Sequence, residues 1–375
     1  MLIGVPRETK IHEYRVGLTP EGVRDLASAG HEVIVERNAG QGIGASDQDY
    51  RDAGASMAGT APEIFARAEL IVKVKEPLGP ERAMLRPGQA LFTYLHLAAD
   101  PDQARELIAS RAIAIAYETV TSPAGSLPLL APMSMVAGRM SVQIAAHYLE
   151  RPQGGRGILI PGVTGVPPAE MLVLGAGTAG SAAALTAAAI GGLVCVLDRS
   201  DEALRRLKSA AGSQLSTMAI TPEVLARELA RADAVIGAAL VPGAAAPKLV
   251  TRSMLAGMKP GAVMVDISID QGGCFETSRP TTHAEPVYMV DGIIHYCVAN
   301  IPGAVPRTST YALNHATLPF IKELAGRGIV RALKENANLR NGLNICSGAV
   351  TCRAVAQALG YDYVEPMDAL ARVPK

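Results

Sequence analysis

The sequence predicts an α/β protein with two doubly wound parallel-sheet domains, and three observations predict it. Short apolar runs alternate with helical patterns in two successive series. A glycine-rich loop joins a strand to a helix at the start of the second series, and prolines separate the two series. The 375 residues suit two domains at roughly 100–200 residues each.

The first strand is Leu2–Val5. Thr19-Pro20-Glu21 then opens a helix, with a hydroxyl cap and proline in the first turn, that ends at Gly30. Residues 33–35, 70–74, 90–93 and 112–116 read as further strands, and Asp100-Pro101 caps another helix. Pro123, Pro128 and Pro132 mark the boundary, followed by a nearly uncharged helix over about 133–149. The second series has strands at 171–174, 194–197, 218–220, 234–237 and 263–266, with 287–290 and 293–298 beside them. Beyond Pro306 the pattern is helical, without strands of its own, and is expected to pack back on the first domain. The expected division is therefore 1–130 plus 305–375 around an inserted 131–304.

Thirty-five basic and 35 acidic residues give a net charge of zero, which offers nothing to nucleic acid or an anionic membrane surface. Apolar residues make up 49%, ample for a core. The five cysteines lack a Cys-x-x-Cys pair and zinc-finger spacing, which predicts reduced thiols, a cytoplasmic location and no metal site. The N-terminus carries Arg7 and no apolar leader run. Residues 171–197 are uncharged, but their many glycines and alanines read as strand, turn, helix, turn and strand rather than a membrane span.

The most specific motif is Gly175-Ala176-Gly177-Thr178-Ala179-Gly180. It follows the strand MLVL, opens an alanine-rich helix, and is followed by a strand ending at Asp198. That context makes it a Rossmann dinucleotide fingerprint, with the second domain inserted in the first. Gly175 permits the turn, Gly177 lets the backbone approach a pyrophosphate, and Gly180 lets the helix sit on the strand. The helix N-terminus offers N–H groups to phosphate. Asp198 can accept from ribose hydroxyls and would repel a 2′-phosphate, which favours NAD over NADP, although Arg199 follows it.

Arg15, Lys75 and His96 each follow a strand of the first series and so fall on the strand-end edge where ligands bind. Arginine forks onto a carboxylate, lysine supplies a point charge, and an imidazole exchanges protons near neutrality. Singly each has an ordinary reading as a loop charge, a surface lysine or a satisfied histidine; together they suit a small carboxylate bearing a carbonyl or amine. Asp270 lies past the strand ending at Asp266, ahead of two glycines, where the nicotinamide end of a cofactor is expected. A turn-forming role is its alternative, and Asp266 reads as structural.

The segments GVPRETKIHEYRVGLTP, VKVKEP, YLHLA, LGAGTAG, VIGAALVPGAAAPKLV, DISIDQGG and CVANIPGAVPRTST together resemble the L-alanine dehydrogenases, which share this pattern with the NAD-binding subunit of proton-translocating transhydrogenase. The resemblance runs end to end. It implies oxidative deamination of L-alanine by NAD to pyruvate and ammonium, in a homo-oligomer, usually a hexamer. It makes Arg15 and Lys75 the substrate-binding pair and His96 and Asp270 the catalytic residues. It further implies cofactor contacts at Ser134, Thr178, Asp198, Ala239, Leu240, Ile267, Ser268, Ile269, Asp270, Arg279, Val298, Ala299, Asn300 and Ile301, beside the motif glycines. Gly17, Ala203 and Ile220 depart from the family pattern, where alanine, a basic residue and serine are usual. A transhydrogenase subunit and a non-catalytic NAD sensor are the rival readings.

Overall fold

The computed structural model describes residues 1–239 and 246–373. It divides into two compact units, Met1–Met133 with Val305–Lys375, and Ser134–Ala304. In chain order the strands are β1 (Leu2–Val5), β2 (Glu32–Glu36), β3 (Ser56–Ala58), β4 (Leu70–Val72), β5 (Ala90–Thr93) and β6 (Ile113–Ala116). The inserted unit contributes β7 (Glu170–Leu174), β8 (Leu193–Asp198), β9 (Leu215–Ala219), β10 (Ala234–Gly237), β11 (Val263–Asp266), β12 (Val287–Val290) and β13 (Ile293–Tyr296). The C-terminal stretch adds β14 (Leu343–Cys346) and β15 (Ala349–Val350).

The first unit holds one eight-stranded sheet in the order β15-β14-β6-β5-β4-β1-β2-β3. From β1 the chain winds outward through β2 and β3, then returns to the other side of β1 at β4. Helices with defined starts make the crossovers: Thr19 accepts from the N–H of Gly22 at the head of Pro20–Ser28, and Asp100 from that of Gln103 at the head of Pro101–Ser110. Ile34, Ile71, Leu91 and Ala114 from the sheet pack with Ile64, Phe65, Ala104 and Leu107 from the helices, all buried.

The inserted unit repeats the plan in the order β12-β13-β11-β10-β7-β8-β9. Alternation along its strands sends successive residues to opposite faces. Val173, Val196, Ile236 and Val265 face Val142, Ala145, Ala183 and Ala187. Leu172, Leu174, Val235 and Met264 face Leu225, Leu229 and Phe275. Both faces are covered, as a parallel sheet requires.

The two doubly wound sheets are mostly parallel with antiparallel edges: β12 runs antiparallel to β13, and β14 antiparallel to both β6 and β15. One expectation is corrected. The C-terminal stretch therefore does carry strands. Ser347 and Gly348 both take positive φ, 51° and 84°, which builds a two-residue hairpin turn between LNIC and AV. The polar Asn344 interrupts that short apolar run, yet it is buried and donates to Thr119 Oγ1 at 2.8 Å and the Gly342 carbonyl at 2.9 Å. Finally, β3 is a three-residue Ser-Met-Ala strand with little intrinsic strand preference, stabilised by pairing with β2.

Candidate active site

In the first unit β5, β4 and β1 are consecutive neighbours. His96, Lys75 and Arg15 leave their carboxyl ends, so the fold collects all three on one sheet edge, around the point where the winding reverses. The loop after β1 presses closely on the end of β4: a Cβ on Gly17 would lie 2.5 Å from the Val72 carbonyl oxygen. Gly17, one of the departures from the family pattern, is thus the residue that this close approach demands here.

Each of the three is held by a carboxylate that the sequence did not single out. Arg15 is buried and gives its Nε and Nη2 to the two oxygens of Glu13 at 2.7 and 2.6 Å. Burial opposes the guanidinium charge, but Glu13 outweighs it and holds the Arg15 pKa above its ordinary value. Nη1 of Arg15 rests 3.1 Å from the Met133 sulfur. Glu8 accepts from the N–H of Val74 at 2.7 Å and of Lys75 at 3.4 Å, fixing the backbone that carries Lys75. Burial pushes the Glu8 carboxyl up, with Lys73 pulling the other way. Lys73 is 1% exposed; its ammonium lies 3.3 Å from Glu8 and 2.8 Å from Glu81. The Thr93 hydroxyl donates to the Lys75 carbonyl at 2.9 Å.

His96 has left-handed backbone, with φ 50° and ψ 39°. Its ring stacks on that of Tyr94 at 5.8 Å and 7°. Tyr94 is itself fixed, donating to the Leu129 carbonyl at 2.6 Å and meeting Tyr117 edge-on at 5.1 Å. Burial raises the phenol pKa of Tyr94, so it stays a neutral donor. Glu118 accepts from the His96 N–H at 2.6 Å.

In the inserted unit most of the described residues expected to contact a cofactor fall at the carboxyl ends of five adjacent strands, β8, β7, β10, β11 and β13; Ser134 and Arg279 lie elsewhere. The Gly175–Gly180 loop follows β7. Gly175 has φ +112°, and a Cβ there would meet the Ala238 carbonyl at 2.7 Å, so the loop lies in the crevice beside β10. A Cβ on Gly180 would lie 1.8 Å from the Gly175 carbonyl, which only glycine allows. Gly177 has open space around it and no side chain caps the helix Thr178–Ala189, whose first N–H groups carry partial positive charge. That open, uncapped helix start fits a pyrophosphate.

Asp198 ends β8 and accepts from the N–H of Ala176 at 2.6 Å and of Ser200 at 2.8 Å. It therefore ties the glycine loop to β8, and its carboxylate is half-buried. Ser134 sits in the helix Ala131–Tyr148, one turn before Gly138, whose missing side chain lets that helix touch the backbone of Ala179. Ala239 follows β10; Leu240 lies outside the described residues.

The 3₁₀ turn Ile267–Gln271 carries Ile267, Ser268, Ile269 and Asp270 after β11. Asp266 is the structural residue expected: fully buried, it accepts from the N–H groups of Ser268 at 3.0 Å and Cys274 at 2.8 Å and from the Ser278 hydroxyl. The Ser268 hydroxyl donates to the Ala239 carbonyl at 2.7 Å. The turn is thus rigid while Asp270 is exposed, its carboxylate without a hydrogen bond to any other described residue. Arg279 lies over the Tyr288 ring, 4.0 Å from its centre. Thr281, two residues on, pairs with Val298, which begins the segment Val298, Ala299, Asn300 and Ile301. Among the described residues no group of three or more His, Cys, Asp or Glu side chains could hold a metal, and no helix is long and apolar enough to cross a membrane.

The description "Alanine dehydrogenase/PNT, N-terminal domain" matches residues 4–137, and "Alanine dehydrogenase/PNT, C-terminal domain" matches residues 141–353. The chain belongs to the alanine dehydrogenase/PNT family. Within this family, alanine dehydrogenase of Halomonas elongata is 55% identical over 97% of this chain and 98% of its own length. Alanine dehydrogenase of Mycobacterium tuberculosis is 50% identical over 99% of this chain and 100% of its own. A solved L-alanine dehydrogenase superposes with a TM-score of 0.92 at 47% identity, covering 96% of this chain and 99% of that one. A transhydrogenase from Sinorhizobium meliloti reaches 0.80 at 28% identity, covering 94% and 100%. The family is pyridine-nucleotide dependent, and the alanine dehydrogenase branch is the nearer of the two to this chain.

Proposed function

We propose that the chain catalyses reversible, NAD-dependent oxidative deamination of L-alanine: alanine, NAD⁺ and water give pyruvate, ammonium, NADH and a proton. The observation that carries this reading is the gathering of Arg15, Lys75 and His96 on adjacent strand ends, a set a bare nucleotide-exchange subunit does not need. Arg15, oriented through Glu13, and Lys75, fixed through Glu8, hold the alanine carboxylate and so aim Cα in a near-attack geometry. When bound, the oxidised nicotinamide supplies the acceptor for the hydride that leaves Cα.

The amine must be neutral at that moment, since its lone pair stabilises the iminium that forms. Water then adds to the imine carbon of iminopyruvate. His96 takes the proton from that water and returns it to the departing amine as the carbinolamine collapses. The exposed carboxylate of Asp270 orients the amine or water and offsets the iminium charge. The dinucleotide is held by the Gly175–Gly180 loop and helix start, with Asp198 on the adenosine ribose selecting NAD. The proposed assembly is a cytoplasmic homohexamer; the exposed apolar side chains Leu159, Val163 and Val166 are available to another copy.

Purified protein with NAD or NADP and L-alanine, glycine or L-serine, followed by reduced-nicotinamide absorbance, tests the assignment. Rapid signal with NAD and alanine is expected, and silence with all three amino acids despite tight NADH binding contradicts it. A second expectation concerns the cofactor. Asp198→Ala removes both the ribose acceptor and the tie to Ala176, so it should weaken NADH binding about 10- to 100-fold, the range for lost hydrogen bonds to a charged group. It should also narrow the preference over NADP. Fluorescence titration reads the first effect and the ratio of kcat/KM values the second; an unchanged ratio would assign ribose selection elsewhere.

A further inference from the structure

His96 occupies a left-handed backbone conformation that carries a steric cost for any non-glycine residue, so its surroundings must impose it. The end of the β5–β6 ladder shows how. Thr93 of β5 pairs with Ala116 of β6, and directly past that pair the chain turns into the 3₁₀ helix Tyr117–Thr119, which carries Glu118 to the Leu95–His96 segment. Glu118 accepts from the Leu95 N–H at 3.2 Å and from the His96 N–H at 2.6 Å through the same oxygen, Oε1. On the other side of the peptide, buried Gln103 donates to the Leu95 carbonyl at 2.6 Å. The His96 carbonyl accepts from Ala99 at 3.0 Å. Every peptide group around the turn is thus pinned, and the imidazole is delivered onto the immobile ring of Tyr94.

We propose that Glu118 is the positioning residue for His96, its carboxylate locking the Leu95–His96 backbone in the left-handed turn that sets the imidazole on Tyr94. This rests on the reading of His96 as the proton-transferring residue. Glu118 touches neither substrate nor cofactor in this role; it acts through the histidine. The acceptor oxygens, rather than the bulk of the side chain, carry the effect.

The test uses the full-length enzyme with Glu118→Leu, which keeps volume and loses the acceptor, and Glu118→Gln, which keeps an acceptor oxygen. Each is made alone and in a His96→Ala background. Glu118→Leu should lower kcat about 10- to 100-fold, the effect expected of ångström-scale misplacement, while KM for alanine and NADH affinity stay within about twofold. Glu118→Gln should recover most of kcat. In the His96→Ala background Glu118→Leu should cost less than about twofold, because the group it positions is gone. An equal loss in both backgrounds, or equal losses for the Leu and Gln variants, would overturn the proposal while leaving His96 in place. Wild-type turnover in His96→Ala would instead sink the proton-transfer reading, and the positioning role with it.

Discussion

Replacing His96 by alanine should lower turnover by about two to four orders of magnitude, the usual loss when a positioned acid–base group is removed. An imidazole can accept a proton at one ring nitrogen and give it back, and His96 places such a ring on the edge formed by β1, β4 and β5. Arg15 and Lys73 are held in their charged forms by buried glutamates, and burial keeps Tyr94 neutral. The ring is accessible as well as fixed: its side chain is 39% exposed while its backbone is pinned by Glu118. Because Arg15 and Lys75 are untouched, KM for alanine should change little. NADH titration should also be unaffected, since the proposed dinucleotide residues belong to the other unit. Steady-state kinetics at saturating alanine reads the effect, and near-normal kcat would exclude His96 as the proton carrier.

Lys73→Met should destabilise the first unit by about 3–5 kcal/mol, the cost of breaking a buried ion pair by removing one partner. Lys73 is 1% exposed and stands between two carboxylates, Glu81 at 2.8 Å and Glu8 at 3.3 Å. Methionine fills a similar volume, so the loss is electrostatic rather than a cavity. It strands two buried acids, of which Glu8 already has a raised pKa through burial even with the lysine present. The sign with pH follows. A carboxyl whose pKa is higher folded than unfolded binds its proton more tightly in the folded state. The variant's deficit should therefore be full above the raised folded value and shrink as pH falls toward the unfolded one. A urea midpoint clearly below wild type at pH 8, with the gap narrowing toward pH 5, is expected; equal midpoints at pH 8 would contradict the buried triad.

The winding of both sheets was legible because runs of Val, Ile and Leu alternate with capped helices, as at Thr19-Pro20 and Asp100-Pro101. Where a strand lacks such residues, as Ser-Met-Ala at β3, or carries a buried polar residue, as Asn344 in β14, the local pattern is too weak, and pairing with a neighbour decides the structure. Something similar holds for the site. Arg15, Lys75, His96 and the glycine loop stand out because each follows a strand and carries recognisable chemistry. The carboxylates that hold them do not. Glu118 is 22 residues from His96 and Glu8 67 from Lys75, and they meet because the strands before them are paired, β5 with β6 and β1 with β4. A trace did exist in Val-Lys-Val-Lys, where lysines alternate inside an apolar stretch and so ask for buried partners. Glu13, two residues before Arg15, was the nearer clue.

Following the α-hydrogen tests the central claim most directly. With L-alanine deuterated at Cα, NAD and the full-length enzyme, the reduced nicotinamide should carry one deuterium at C4 for each pyruvate formed, read by mass spectrometry or NMR. Pyruvate formed alongside unlabelled reduced nicotinamide, or no pyruvate at all, would contradict hydride transfer from alanine.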